Sequence, residues 1–413
     1  MPQHASAPVV IRNASVADVE AGTLEPDRTL VLADGRIQEV GGASTPSPSG
    51  ARELDAAGRV VVPGLVDAHV HVMAGTANLA AQAEESPFYV AAQASVILRG
   101  MLRRGFTTVR DTGGADFGIA RAVGEGLWEG PRVIFGGKAL SPTGGHGDSR
   151  GPGRMSLPDE CCHLATVVDG EDAARRAARH QLRTGAHHVK VMLSGGVASP
   201  TDRIDSTQFG DAEVRAIVEE AQAANRYVTG HAYTARAVNR GLRLGVRCIE
   251  HGNLIDDESV RLFVEHDAFL VPTLVTYEYL KKEGAAAGLP KESQEKVDTV
   301  LVAGLEALER AWRGGVNIAF GTDLLGAMHG HQNDEFRIRA QVQPARDVLL
   351  AATVGAARLL GLEDEIGVVA PGARADVLVV DGNPLEDAGV LARPEANLRA
   401  VVQAGRVVTE SLS

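Results

Sequence analysis

Between residues 64 and 322, eight short apolar runs of strand composition alternate with Ala-rich amphipathic segments. The runs are Gly64–His71, Thr107–Asp111, Arg132–Gly136, His187–Met192, Tyr227–His231, Arg247–His251, Ala268–Pro272 and Asn317–Thr322. A typical intervening segment, residues 211–225, places Val214, Ile217, Val218 and Ala221 at helical spacing. Eight βα units predict an α/β fold of the (β/α)8 TIM-barrel type, which carries its chemistry at the C-terminal ends of the strands. The chain ends have a different texture. Short β-branched runs broken by Gly, Asp and Pro fill the first sixty residues and return after Gly372, at residues 376–380 and 398–402. Both ends are expected to build one small β-sandwich domain, 1–62 with 367–413, leaving 63–366 to the barrel.

A chain of 413 residues, 44% hydrophobic and 23% charged, buries a large core. Its net charge of −12 argues against a nucleic-acid backbone or an anionic membrane, so a small molecule is the expected partner. Three cysteines (Cys161, Cys162 and Cys248) form no CxxC pair and no disulfide framework. With no signal-peptide pattern and no long apolar run, a reducing cytoplasm is the expected location.

At the ends of the predicted strands the residues become chemical. His69 and His71 close the first run, and the two-residue period of a strand puts both imidazoles on one face. His329 and His331 share that spacing, but in a Gly-containing loop. Lys190 interrupts the apolar run of strand four in a chain with six Lys and thirty-five Arg. An unpaired ammonium there would be costly. Either a carboxylate pairs with it, or a desolvated amine reacts with carbon dioxide to form a carbamate that bridges two cations. His231 and His251 end strands five and six, and Asp323 follows strand eight. Singly each has a bland explanation, a packed histidine or a helix cap; together the six are metal-competent groups gathered on one rim.

These residues carry a resemblance. The chain resembles the amidohydrolase superfamily, in its imidazolonepropionase-like branch, which includes binuclear metal-dependent Xaa-Pro dipeptidases (prolidases) and ochratoxin-type N-acyl amino acid amidohydrolases. The motifs run from Pro63-Gly64-Leu65-Val66-Asp67-Ala68-His69-Val70-His71 through residues 195–200 and Gly230-His231-Ala232-Tyr233-Thr234 to residues 321–326. The tail Pro371-Gly372-Ala373-Arg374-Ala375-Asp376 is typical of the family's closing β-domain.

The resemblance implies two divalent ions, with imidazole and carboxylate ligands favouring Zn2+. His69, His71 and Asp323 would hold one, His231 and His251 the other, with carboxylated Lys190 and a hydroxide bridging them. Asp323 would also move the proton of the attacking hydroxide to the leaving nitrogen. His146, in the loop after strand three, would hydrogen-bond the carbonyl or developing oxyanion. Tyr233, and more weakly Arg203, would bind a terminal carboxylate. The implied activity is hydrolysis of the last amide of a small substrate with a free carboxylate, Xaa-Pro dipeptides first and acyl-Phe amides as the alternative. Residues 88–89, 202–209 and 275–280 are the expected selectors. Mononuclear deaminases of the superfamily usually lack the strand-four lysine, and metal-free scaffold relatives typically lose ligands that are all present here. The resemblance also implies a homo-oligomer.

Overall fold

The computed structural model describes residues 7–151, 153–154, 162–199 and 201–412; Cys161 lies outside them. Strands from both chain ends share one eight-stranded sheet. Val9–Asp18 pairs antiparallel with Thr23–Ala33, which pairs with Arg36–Gly41. Val60–Pro63 joins the two ends: it runs parallel to the first strand at Ser15 and Val16 and antiparallel to Val377–Val380. Leu398–Gln403 and Arg406–Glu410 extend the sheet. Ile11, Leu30, Leu32, Ile37, Val61, Val377 and Val379 form the core on one face, while the alternate residues Val60, Val62, Leu378 and Val380 pack on the other with Leu65 and Phe106 of the barrel.

From Val60–Pro63 the chain passes directly into the first barrel strand, Leu65–Val70. The hinge is Gly64, where a Cβ would lie 2.2 Å from Thr107 Oγ1. Only glycine lets strand two approach this closely.

The remaining barrel strands are Phe106–Asp111, Arg132–Phe135, His188–Met192, Tyr227–Thr234, Cys248–Leu254, Phe269–Val271 and Asn317–Ile318, each the counterpart of a run expected from sequence. Neighbours pair in parallel. Backbone hydrogen bonds cross the two seams: His187 N donates to Phe135 O at 2.9 Å, and Ala68 N to Phe320 O at 2.7 Å. Two short strands, Ala139–Ser141 and Ala165–Val167, add to the sheet between strands three and four. At three residues each they are too short to show a period, so sequence reads them as loop.

Alternation along strand four sorts the side chains. Val189 and Val191 pack outward against Val214, Ile217, Val218 and Ala221 of helix Asp211–Ala223, as the helical spacing predicts. His188, Lys190 and Met192 take the opposite face. Among the described residues no helix is long and apolar enough to cross a membrane.

Candidate metal centre

Six side chains from the tops of five strands converge. His69, His71 and Asp323 bring their donor atoms within 4.8 Å of one another. Asp323 Oδ1 lies 3.3 Å from His69 Nε2 and 3.2 Å from His71 Nε2. The ring of His251 lies 5.0 Å from that of His69 and 4.5 Å from that of His231, so the four imidazoles form one continuous wall. Lys190, His146 and Tyr233 line the same cavity.

Two of these residues hold unusual backbone. His251 has φ 74° and Asp323 φ 54°, in the left-handed region that non-glycine residues rarely adopt. Such strain, on the order of 1 kcal/mol or more, is typical of sites whose geometry matters more than local stability.

Each imidazole has one nitrogen tied to the protein. His69 Nδ1 meets Glu250 Oε2 at 2.7 Å, and His71 Nδ1 donates to Gly113 O at 2.9 Å. His231 Nε2 meets Gly195 O at 3.2 Å, while His251 Nδ1 meets the hydroxyls of Thr273 at 2.8 Å and Tyr277 at 3.0 Å. The other nitrogen of each ring is left for a metal, the arrangement by which metal proteins fix ligand tautomers. This donor set of neutral imidazoles and one carboxylate fits a hydrolytic divalent ion.

The electrostatics agree. Burial opposes charge on Asp323, but attraction and hydrogen bonds from His69 and His71 outweigh it and hold the carboxyl well below its usual range. Burial keeps His231 well below an ordinary histidine. Burial also pulls the Lys190 amine down, against the attraction of Glu250 and Asp323. Among the described residues no carboxylate lies within ion-pair distance of that amine. The bland expectation, a lysine paired to one carboxylate, is therefore not what surrounds Lys190.

His146 is brought to the cavity as well, its ring stacked on His231 at 4.2 Å. Burial lowers its pKa to about 4 against the attraction of Asp202 and Asp323, so it is neutral at physiological pH. Tyr233 is buried against His231 and His251, and its hydroxyl accepts from Tyr277 at 3.1 Å. Arg203 is not brought in: its side chain is 82% exposed and forked onto Asp205, two residues away. Neither loop histidine joins the centre. His329 Nε2 holds Ala74 O at 3.1 Å, and His331 stacks on Tyr279 beside Glu283. Of the expected selectors, Thr276, Tyr277 and Leu280 line the cavity, whereas Phe88 and Tyr89 are exposed.

Sequence reasoning missed Glu250 and Arg110. Both are fully buried and joined at 2.6 Å beneath the centre, and Glu250 also takes the hydroxyl of Thr229. Burial would raise the Glu250 pKa, but Arg110, His69 and Lys190 outweigh it and hold the carboxylate charged. Glu250→Gln is expected to weaken metal retention about 10- to 100-fold by loosening His69. It should also destabilise the fold by roughly 3–5 kcal/mol by leaving Arg110 buried without its counterion. Metal titration and chemical denaturation check the two effects separately.

Comparison with known proteins identifies the family of the chain. A model of the amidohydrolase family matches residues 60–408. Ochratoxinase of Aspergillus niger is 31% identical over 422 aligned positions, spanning 94% of this chain and 86% of that protein. The solved structure of a prolidase complexed with N-methylphosphonate-L-proline matches with a TM-score of 0.95 and 47% identity, covering 98% of this chain and 100% of that one. A Xaa-Pro dipeptidase with methionine bound in its active site matches with a TM-score of 0.87 and 28% identity, over 98% and 100% of the two chains.

Proposed function

The chain belongs to the amidohydrolase family and is a hydrolase of amide or peptide bonds, and on that basis we propose that it removes the C-terminal residue from small substrates with a free carboxylate, Xaa-Pro dipeptides first. The observation that carries the metal part of this reading is the buried Lys190 amine without a carboxylate in ion-pair distance, lining the same cavity as a His-His-Asp cluster and a His-His pair. His69, His71 and Asp323 would hold one Zn2+, His231 and His251 the second, and Lys190, as its carbamate, would bridge them. When bound, such ions supply Lewis acidity and bring the pKa of water toward neutrality.

The chain's own groups divide the rest of the work. Asp323, charged and aimed at the centre, accepts the proton of the attacking water and passes it to the leaving nitrogen. His146 faces the substrate carbonyl, and it can donate to the oxyanion only while its cavity-side nitrogen carries hydrogen. With Arg203 on the surface, recognition of the terminal carboxylate falls to the hydroxyl of Tyr233. Tyr233→Phe should raise KM roughly 10- to 100-fold and change kcat by less than about threefold, the signature of a contact made equally in ground and transition states. An unchanged KM would remove Tyr233 from that role.

Proline as the leaving residue is supported by the 47% identity to a prolidase bound to a proline phosphonate. The 31% identity to ochratoxinase keeps acyl-Phe amides as the second reading. Comparing kcat/KM across Xaa-Pro dipeptides, N-acyl-Pro and N-acyl-Phe compounds separates the two. Preference for Pro-ended dipeptides supports the first; preference for acyl-Phe replaces it with the second. We further read the protein as a cytoplasmic homo-oligomer divided into a composite β-domain, 1–62 with 367–413, and a barrel, 63–366.

A further inference from the structure

The loop after barrel strand four is organised around a buried carboxylate that the reaction above does not use. Asp202 is 8% exposed and accepts from Gly196 N at 3.0 Å, from Gln208 Nε2 at 3.0 Å and from the hydroxyl of Ser199. Lys296 reaches it at 3.4 Å from helix Lys291–Arg313, and also donates to the carbonyls of Ser199 at 2.8 Å and Gly196 at 3.1 Å. Gln208 uses its oxygen to hold the backbone N–H of His146 at 2.9 Å. One carboxylate thus ties together the loops after strands three and four and a distant helix.

Hydrogen-bond direction then follows from counting protons. The Ser199 hydroxyl has one, and it is given to Asp202. Ser199 Oγ can therefore only accept from His146 Nδ1, 2.8 Å away. Nδ1 must carry hydrogen, and Nε2 is the nitrogen left for the cavity. The ring also has little room to turn. His231 stacks on it, and a Cβ at Gly196 would lie 2.1 Å from its Cε1 and Nδ1.

We propose that Ser199 and Asp202 are positioning residues that lock His146 in its Nδ1–H tautomer with Nε2 directed at the bond to be cleaved, Lys296 anchoring Asp202 from behind. This rests on the reading of His146 as a substrate-facing group. In this tautomer Nε2 is an acceptor: it takes a hydrogen bond from the substrate or from the attacking water, while Nδ1 stays on Ser199. A correctly oriented tautomer is what a histidine borrows from a buried carboxylate in other hydrolytic sites; here a serine hydroxyl is interposed.

The test uses the full-length, metal-loaded protein with 15N-labelled histidine, the His146 signals being identified by their loss in His146→Gln. Wild type is expected to show the Nδ1–H form, Ser199→Ala and Asp202→Asn a mixture or the Nε2–H form, and Ser199→Thr the wild-type pattern. With any substrate the wild type turns over, Ser199→Ala should lower kcat about 10- to 100-fold with KM within about threefold, and Ser199→Thr should restore kcat. A merely packed Ser199 would show the reverse, since alanine fits its space and threonine does not. The proposal is overturned by an Nε2–H tautomer in wild type, by an unchanged tautomer in Ser199→Ala, or by loss of bound metal in that variant. If wild type cleaves nothing in the substrate panel, the functional reading falls, and the tautomer result still decides this one.

Discussion

Lys190→Ala should lose one of the two bound ions and lower kcat by more than about 100-fold, beyond what loss of an outer-shell contact costs a metal site. Lys190 sits in register with Thr229 on strand five, two residues below the level of His231, and lines the cavity that His69, His231, His251 and Asp323 share. Burial, with Arg110 nearby, makes this a poor place for an ammonium, which would cost several kcal/mol without a partner. On the proposed reading, a neutral amine there would react with carbon dioxide, and the resulting carbamate would offer two oxygens to the ions. Alanine removes that bridge without leaving a buried charge behind, so the fold should survive. Short carboxylic acids added to the variant should restore part of the activity by occupying the same gap. A Lys190→Ala protein that still holds two ions would sink the carbamate.

Asp323→Asn should lower kcat by roughly 10²- to 10⁴-fold, the usual worth of a positioned proton acceptor. The substitution is chosen for its backbone. Asp323 has φ 54°, and asparagine is among the few residues that tolerate the left-handed region, so local geometry should be kept. The amide retains an oxygen for His69 and His71 but loses the charge that those two residues stabilise. Measuring kcat on protein checked for metal content isolates the proton transfer. A variant with wild-type kcat would mean that another group, His146 foremost, carries the proton.

Why some of this site is legible in sequence and some is not has a physical reason in each case. His69 and His71 are visible because a strand's period of two puts both on one face, and Lys190 because a charge inside an apolar run demands an explanation. Arg110 carries the same signal in strand two, but its partner Glu250 stands 140 residues away in sequence. Strict alternation hides Glu250: beside His251 it should point the opposite way, yet the chain turns left-handed at His251, and Glu250 supports the centre from below while His251 lines it. Arg203 misled because a loop arginine near an anion site is chemically reasonable, and its pairing with Asp205 is set by loop conformation. The Asp202 network is written nowhere locally, since Lys296 reaches Ser199 across 97 residues of sequence.

The gathered histidines, Lys190 and Asp323 are proposed to form a two-ion hydrolytic centre. Elemental analysis of the purified protein, paired with turnover before and after chelation and re-addition of Zn2+, tests it most directly. About two ions per chain are expected, with amide hydrolysis that disappears when they are removed and returns when they are restored. Undiminished hydrolysis by a metal-free chain would contradict it.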